Sequence, residues 1–260
     1  MICGDPCLGK ALGAVIDGCP AGLSLNEEDI QKFLDRRKPG QSRYTTARKE
    51  GDLVEILSGV FEGKTTGTPI SLMVRNTDQR SRDYGNLAYS YRPGHADFTF
   101  DAKYGFRDYR GGGRSSGRET IGRVAAGAIA SRILETLGIS FCTYTKSIGP
   151  VEITDFDAEE ITRNAFYMPD ASAASAAGAY LEECMKNQDS AGGIIECRIK
   201  NVPAGLGNPV FEKLDAVLAQ AVMSIGAVKA VEIGDGFQVS RMKGSEDNDG
   251  FLSLIHISEP

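Results

Sequence analysis

The segment ETIGRVAAGAIASRILETL, residues 119–137, sets Ile121, Val124, Ala125, Ala128, Ile129 and Ile133 at helical spacing. Its alanines and glycines allow close approach by neighbouring elements, so this helix is expected at the centre of the fold. Working outward, the period changes. Residues 11–19 (ALGAVIDGC), 52–62 (DLVEILSGVFE) and 68–75 (TPISLMVR) read as strands, the last two joined by a turn over Gly63 to Gly67. Asn26 is placed to cap a helix running to about Arg37, with Glu27, Glu28 and Asp29 against its positive end. Downstream, 139–153 is extended, 172–187 a small-residue helix, 193–202 a strand and 210–225 an amphipathic helix. Residues 231–241 read as a strand containing the turn Gly234-Asp235-Gly236. Strands and helices mix without a regular βαβ rhythm, which predicts α+β rather than a doubly wound sheet.

Composition is that of an ordinary globular chain, with 41% hydrophobic and 25% charged residues in 260, enough for one large domain or two modest ones. No apolar run reaches the roughly 18 residues of a membrane helix. The opening MICGDPCLGK lacks a secretory layout. Six cysteines without C-x-x-C spacing suit a reducing cytoplasm and predict neither a disulfide framework nor a metal site.

The net charge of -6 conceals an asymmetry. Between Arg75 and Arg123 nine arginines and one lysine face six acids, leaving +4. A second basic run extends from Arg36-Arg37-Lys38 through Arg43, Arg48 and Lys49. A charge run is ordinarily a solvated face. Here the cations are nearly all arginine and alternate with glycine, serine and aromatics. Arginine presents a planar fork that matches phosphate and carboxylate oxygens in pairs, so an anion pocket is expected.

Residues 76–116 lose periodicity altogether, and a connection of about 40 residues is too long to be mere linkage. Two blocks in and just after it carry chemistry. Arg92-Pro93-Gly94-His95-Ala96-Asp97 places a histidine beside an arginine, a group able to exchange a proton near neutral pH. Tyr109-Arg110-Gly111-Gly112-Gly113-Arg114-Ser115-Ser116-Gly117-Arg118-Glu119-Thr120 combines three glycines, two hydroxyls and the start of the central helix, all suited to an anion. Its spacing matches neither common nucleotide-binding fingerprint. By itself such a loop equally fits an RGG-like nucleic-acid segment.

Taken with Asp101-Ala102-Lys103-Tyr104-Gly105-Phe106-Arg107-Asp108, these blocks closely resemble the chorismate synthase family. So do Asp35-Arg36-Arg37-Lys38-Pro39-Gly40, Ser42-Arg43-Tyr44, Ser58-Gly59-Val60-Phe61-Glu62-Gly63, Asn76-Thr77-Asp78-Gln79-Arg80-Ser81, Val202-Pro203-Ala204-Gly205-Leu206-Gly207 and Val231-Glu232-Ile233-Gly234-Asp235-Gly236-Phe237. The resemblance runs from about residue 9 to 250. It implies a β-α-β sandwich of antiparallel sheets and packed helices, with the second half incomplete. It implies a cytoplasmic homotetramer that eliminates phosphate from 5-enolpyruvylshikimate 3-phosphate, using reduced FMN without net redox change. His95 then matches a catalytic histidine. Arg37, Arg43, Arg92 and Arg118 match substrate-binding positions, Arg37 and Arg43 also NADP-binding ones. Arg114, Ser115 and Ser116 match one FMN-contacting run, and Gly226 with Ala227 another. NADPH would serve flavin reduction, and no metal, membrane or nucleic acid is implied.

The match breaks at both ends. Leu8, in Asp5-Pro6-Cys7-Leu8-Gly9, stands where the family has a further catalytic histidine. Leu252 to Pro260 (LSLIHISEP), with His256, is unlike the family. The expected division is a partial family domain over 1–251 and a non-native tail over 252–260, inactive as written. Two competing readings are an inactive fragment acting as an anion- or nucleic-acid-binding module, and a flavin-dependent reductase. Acidity and the lack of a continuous basic face weigh against the first.

Overall fold

The computed structural model describes residues 2–3, 11–41, 43–44, 51–76, 88–109 and 115–248. Leu8, Arg114 and the tail 252–260 lie outside the described residues. The chain divides into two compact units, Met1–Val202 and Pro203–Pro260.

A four-stranded antiparallel sheet organises the first unit. Its order is β1 (Ile2–Cys3), β2 (Ala11–Ile16), β6 (Ile70–Arg75), β3 (Val54–Ile56). Alternation along the strands buries Leu12 and Ala14 of β2 with Ile70, Leu72 and Val74 of β6. Two helices cover the sheet's core. Helix α1 (Glu27–Arg37) offers Ile30 and Leu34, and α3 (Thr120–Thr136) offers Ile121, Ala125, Ala128 and Ile129. The alanine face of α3 permits the close packing that its sequence predicts. A capping box closes the start of α1, with Asp29 N–H donating to Asn26 Oδ1 at 3.0 Å and Asn26 N–H to Asp29 Oδ2 at 3.2 Å. Pro39 ends it, because the residue before proline is pushed out of the helical region.

The single strand expected over 52–62 is broken. Strand β3 pairs with β6, the chain turns at Ser58-Gly59, and β4 (Val60–Phe61) pairs with β5 (Lys64–Thr65). The turn therefore lies at Glu62-Gly63 rather than spanning Gly63 to Gly67. Gly59 sets the break: its φ is +81°, and a Cβ there would lie 2.7 Å from Ile70 Cγ1. Helix α2 (Asp97–Tyr104) corrects the aperiodic reading of 76–116; it is capped at Gly105 with φ +77°.

A second antiparallel sheet has the order β8 (Val151–Glu152), β7 (Ser140–Ile148), β9 (Gly193–Lys200). Helix α4 (Ala171–Lys186) packs beside it through Ala173, Ala174 and Ala177, with Met168 fully buried. The second unit contains α5 (Leu214–Met223). It also holds a 3-10 helix, Gly236–Arg241, where the sequence predicted a strand. Gly234 and Gly236 both have positive φ, which curls the backbone away from extension. The architecture is α+β with antiparallel sheets and packed helices.

Candidate active site

Two of the expected substrate arginines meet on one carboxylate. Arg37 is the last residue of α1, and Arg118 lies in the 3-10 turn Gly117–Glu119 that leads into α3. Between them Asp52, whose side chain is sealed from solvent, accepts from Arg37 Nη1 at 2.8 Å and from Arg118 Nη2 at 3.1 Å. Arg37 Nε donates to Thr120 Oγ1 at 3.1 Å, and that hydroxyl donates to Gly117 O at 2.7 Å. Arg118 Nη2 also donates to Asn76 Oδ1, just beyond β6, at 2.8 Å. The sheet and both helices thus converge on one cluster. Ser116 Oγ starts the 3-10 turn by accepting from Arg118 N–H at 3.3 Å.

Arg92 is gripped differently. Asp97, buried at the first position of α2, accepts from Arg92 Nε and Nη2, each at 2.9 Å, and from Arg92 N–H at 3.0 Å. Arg107 stands 3.9 Å from the same carboxylate, pairs with Asp101, and lies over the Tyr91 ring at 4.8 Å. His95 occupies the tight turn between, its N–H donating to Arg92 O at 3.2 Å and its side chain exposed. The Arg92 guanidinium holds the Asp97 carboxyl down at about 2, against the upward push of burial. A carboxylate with a depressed value stabilises the fold above its unfolded value near 4 and loses that contribution as pH falls toward 2. Asp97→Asn should therefore cost about 2 kcal/mol at pH 7 and flatten the acid limb of stability between about pH 4 and 2. Urea unfolding at pH 7, 4 and 3 checks this; parallel acid limbs in wild type and variant would contradict it.

Of the other expected site residues, Ser116 belongs to the Arg118 turn, and Arg43 has different partners. Arg43 pairs with Glu182 of α4, and its Nη2 donates to the Tyr44 hydroxyl at 2.6 Å. Tyr44 in turn packs on Phe166 with ring centroids 5.1 Å apart. Gly226 and Ala227 follow α5 in the second unit, Ala227 with a left-handed φ of +71°. Sequence reasoning missed Asp52, Asp97 and Glu182 as the carboxylates that engage these arginines. Among the described residues no group of three histidines, cysteines or acids could hold a metal ion, and no helix is long and apolar enough to cross a membrane.

A family model described as "Chorismate synthase" matches residues 3–259. The chain belongs to the chorismate synthase family. A chorismate synthase of Agathobacter rectalis is 66% identical over 248 residues, which are 95% of this chain and 68% of that protein. One of Lachnoclostridium phytofermentans is 66% identical over 246 residues, 94% of this chain and 67% of that protein. Among solved structures, "Crystal Structure of Chorismate Synthase" superposes with a TM-score of 0.80 at 34% identity, covering 96% of this chain and 72% of that one. Ser115 and Ser116, just ahead of α3, carry hydroxyls of the kind that donate to a phosphate oxygen.

Proposed function

We propose that this chain carries the substrate-binding part of a chorismate synthase, a lyase that eliminates phosphate from 5-enolpyruvylshikimate 3-phosphate. The observation that carries the reading is family membership at 66% identity to proteins of that name. Supporting it, arginines from four separate segments, Arg37, Arg43, Arg92 and Arg118, are each held by a carboxylate of the first unit. The ester bears one phosphate and two carboxylates, so it needs several guanidinium forks. In this reading those four arginines bind and orient it, and His95 holds or moves a proton. Arg114, Ser115 and Ser116 would hold the phosphate of reduced FMN, and Gly226 with Ala227 form a further contact run. When bound, the reduced flavin supplies electron density toward the departing C–O bond. Arg37 and Arg43 are also the proposed contacts of NADPH, which would reduce the flavin. A cytoplasmic homotetramer is the proposed setting.

We further propose that the 260 residues alone do not turn over. Leu8 replaces a histidine of the family pattern, and the relatives extend beyond the 67–68% of their length matched here. Phosphate release from the ester, measured anaerobically with chemically reduced FMN, tests both statements. The isolated chain should release none. A chimera that supplies the portions of the Agathobacter rectalis protein not matched here, with histidine at position 8, should be active, whereas Leu8→His alone should not. Salt-sensitive, micromolar binding of random single-stranded DNA without any ester or flavin binding would instead favour a polyanion-binding module.

A further inference from the structure

Asp52 adopts φ +43°, a left-handed conformation that few side chains other than aspartate and asparagine tolerate. Contacts on every side hold it there. Its carbonyl accepts from Gln31 Nε2 of α1 at 3.3 Å, and Gln31 Oε1 accepts from the Val54 N–H at 3.1 Å. Its two carboxylate oxygens take one guanidinium each, Arg37 on Oδ2 and Arg118 on Oδ1. Without the anion, two like charges would repel, and both side chains have several rotatable bonds along which to retreat.

We propose that Asp52 is a positioning residue: by gripping Arg37 and Arg118 on its two oxygens, it fixes the separation of the two cations that receive the phosphorylated ester. This rests on the reading that both arginines contact that ester. A guanidinium held by fixed partners keeps a set position, and such preorganisation raises affinity by removing an ordering cost at binding. Asp52 itself, closed off from solvent, acts through the arginines.

The test is calorimetric titration of the ester into the 260-residue chain, with thermal melts alongside. Asp52→Asn keeps the left-handed backbone and removes the charge; it should weaken ester binding by about tenfold to a hundredfold. Arg37→Gln should cost less ester affinity in the Asp52→Asn background than in wild type, a non-additivity that a purely steric role would not produce. Unchanged affinity in Asp52→Asn, or losses that simply add in the double variant, overturns the proposal. Should Asp52→Asn fail to stay folded, Asp52→Asn combined with Arg37→Gln and Arg118→Gln should melt higher than Asp52→Asn alone, because the orphaned buried charges are gone. A lower melting point overturns the pairing. If the wild-type chain binds no ester, the proposed function fails and takes the positioning role with it, whatever the melts show.

Discussion

Replacing His95 by alanine in the active chimera with the Agathobacter rectalis protein is expected to lower turnover by about 10² to 10⁴, the range for a positioned acid or base. The fold should be indifferent to the change. His95 is exposed, sits in a turn held by its own backbone N–H, and contributes nothing to either hydrophobic core. What surrounds it is rigid: Arg92 is clamped on Asp97 through three hydrogen bonds, and Arg107 pins the carboxyl-terminal side of α2 back onto Ser90 O at 3.0 Å. The backbone that carries the histidine is thus held in place, and proton transfer depends on geometry first. Anaerobic phosphate release together with circular dichroism decides the matter. A wild-type rate from a normally folded variant would remove His95 from the reaction.

Helices α1 and α3 were legible because capping chemistry and helical periodicity act within a dozen residues. The apolar strands 11–16 and 70–75 were legible for the same local reason. The break at Ser58-Gly59 was not, since it depends on how closely the Gly59 backbone passes Ile70, a contact made only in three dimensions. Helix α2 escaped notice because it is short, and its aromatic residues Phe98, Phe100 and Tyr104 give no apolar stripe; Phe98 and Tyr104 face solvent. At the site, the arginines announce themselves through their density and their alternation with glycine. Their counter-ions do not. Asp52 follows Glu50-Gly51 and reads as an ordinary loop charge, and nothing local signals that Arg37 and Arg118 will both arrive at it. Family resemblance supplied roles for the cations, whereas only the fold supplied the groups that hold them.

Asp170→Ala is expected to destabilise the fold markedly. Asp170 caps α4, and its carboxylate accepts six hydrogen bonds while only 5% exposed. On Oδ1 the donors are Ser172 N–H at 2.9 Å, Ser172 Oγ at 2.7 Å and Ala173 N–H at 3.0 Å. On Oδ2 they are Thr154 N–H at 3.0 Å, Thr154 Oγ1 at 3.2 Å and Asp155 N–H at 3.2 Å. The side chain therefore both starts the helix and fastens it to the segment after β8. Loss of the cap alone costs about 0.5 to 2 kcal/mol. Leaving the Thr154 and Asp155 donors without their acceptor adds about 1 to 3 kcal/mol, for a total of roughly 1.5 to 5 kcal/mol. For a chain of this size that lowers the melting temperature by about 3 to 20 °C. The same bonds, led by that from the Ala173 N–H, hold the carboxyl well below the ordinary value. Its contribution is complete above the unfolded value near 4 and fades as pH drops below it. Asp170→Asn, which keeps the shape and loses the charge, should sit between wild type and alanine at pH 7 and converge on wild type as the medium becomes more acidic. Thermal melts at pH 7, 5 and 3 read this directly. If the alanine variant melts within 2 °C of wild type, the cap is dispensable and α4 is held by its alanine packing alone.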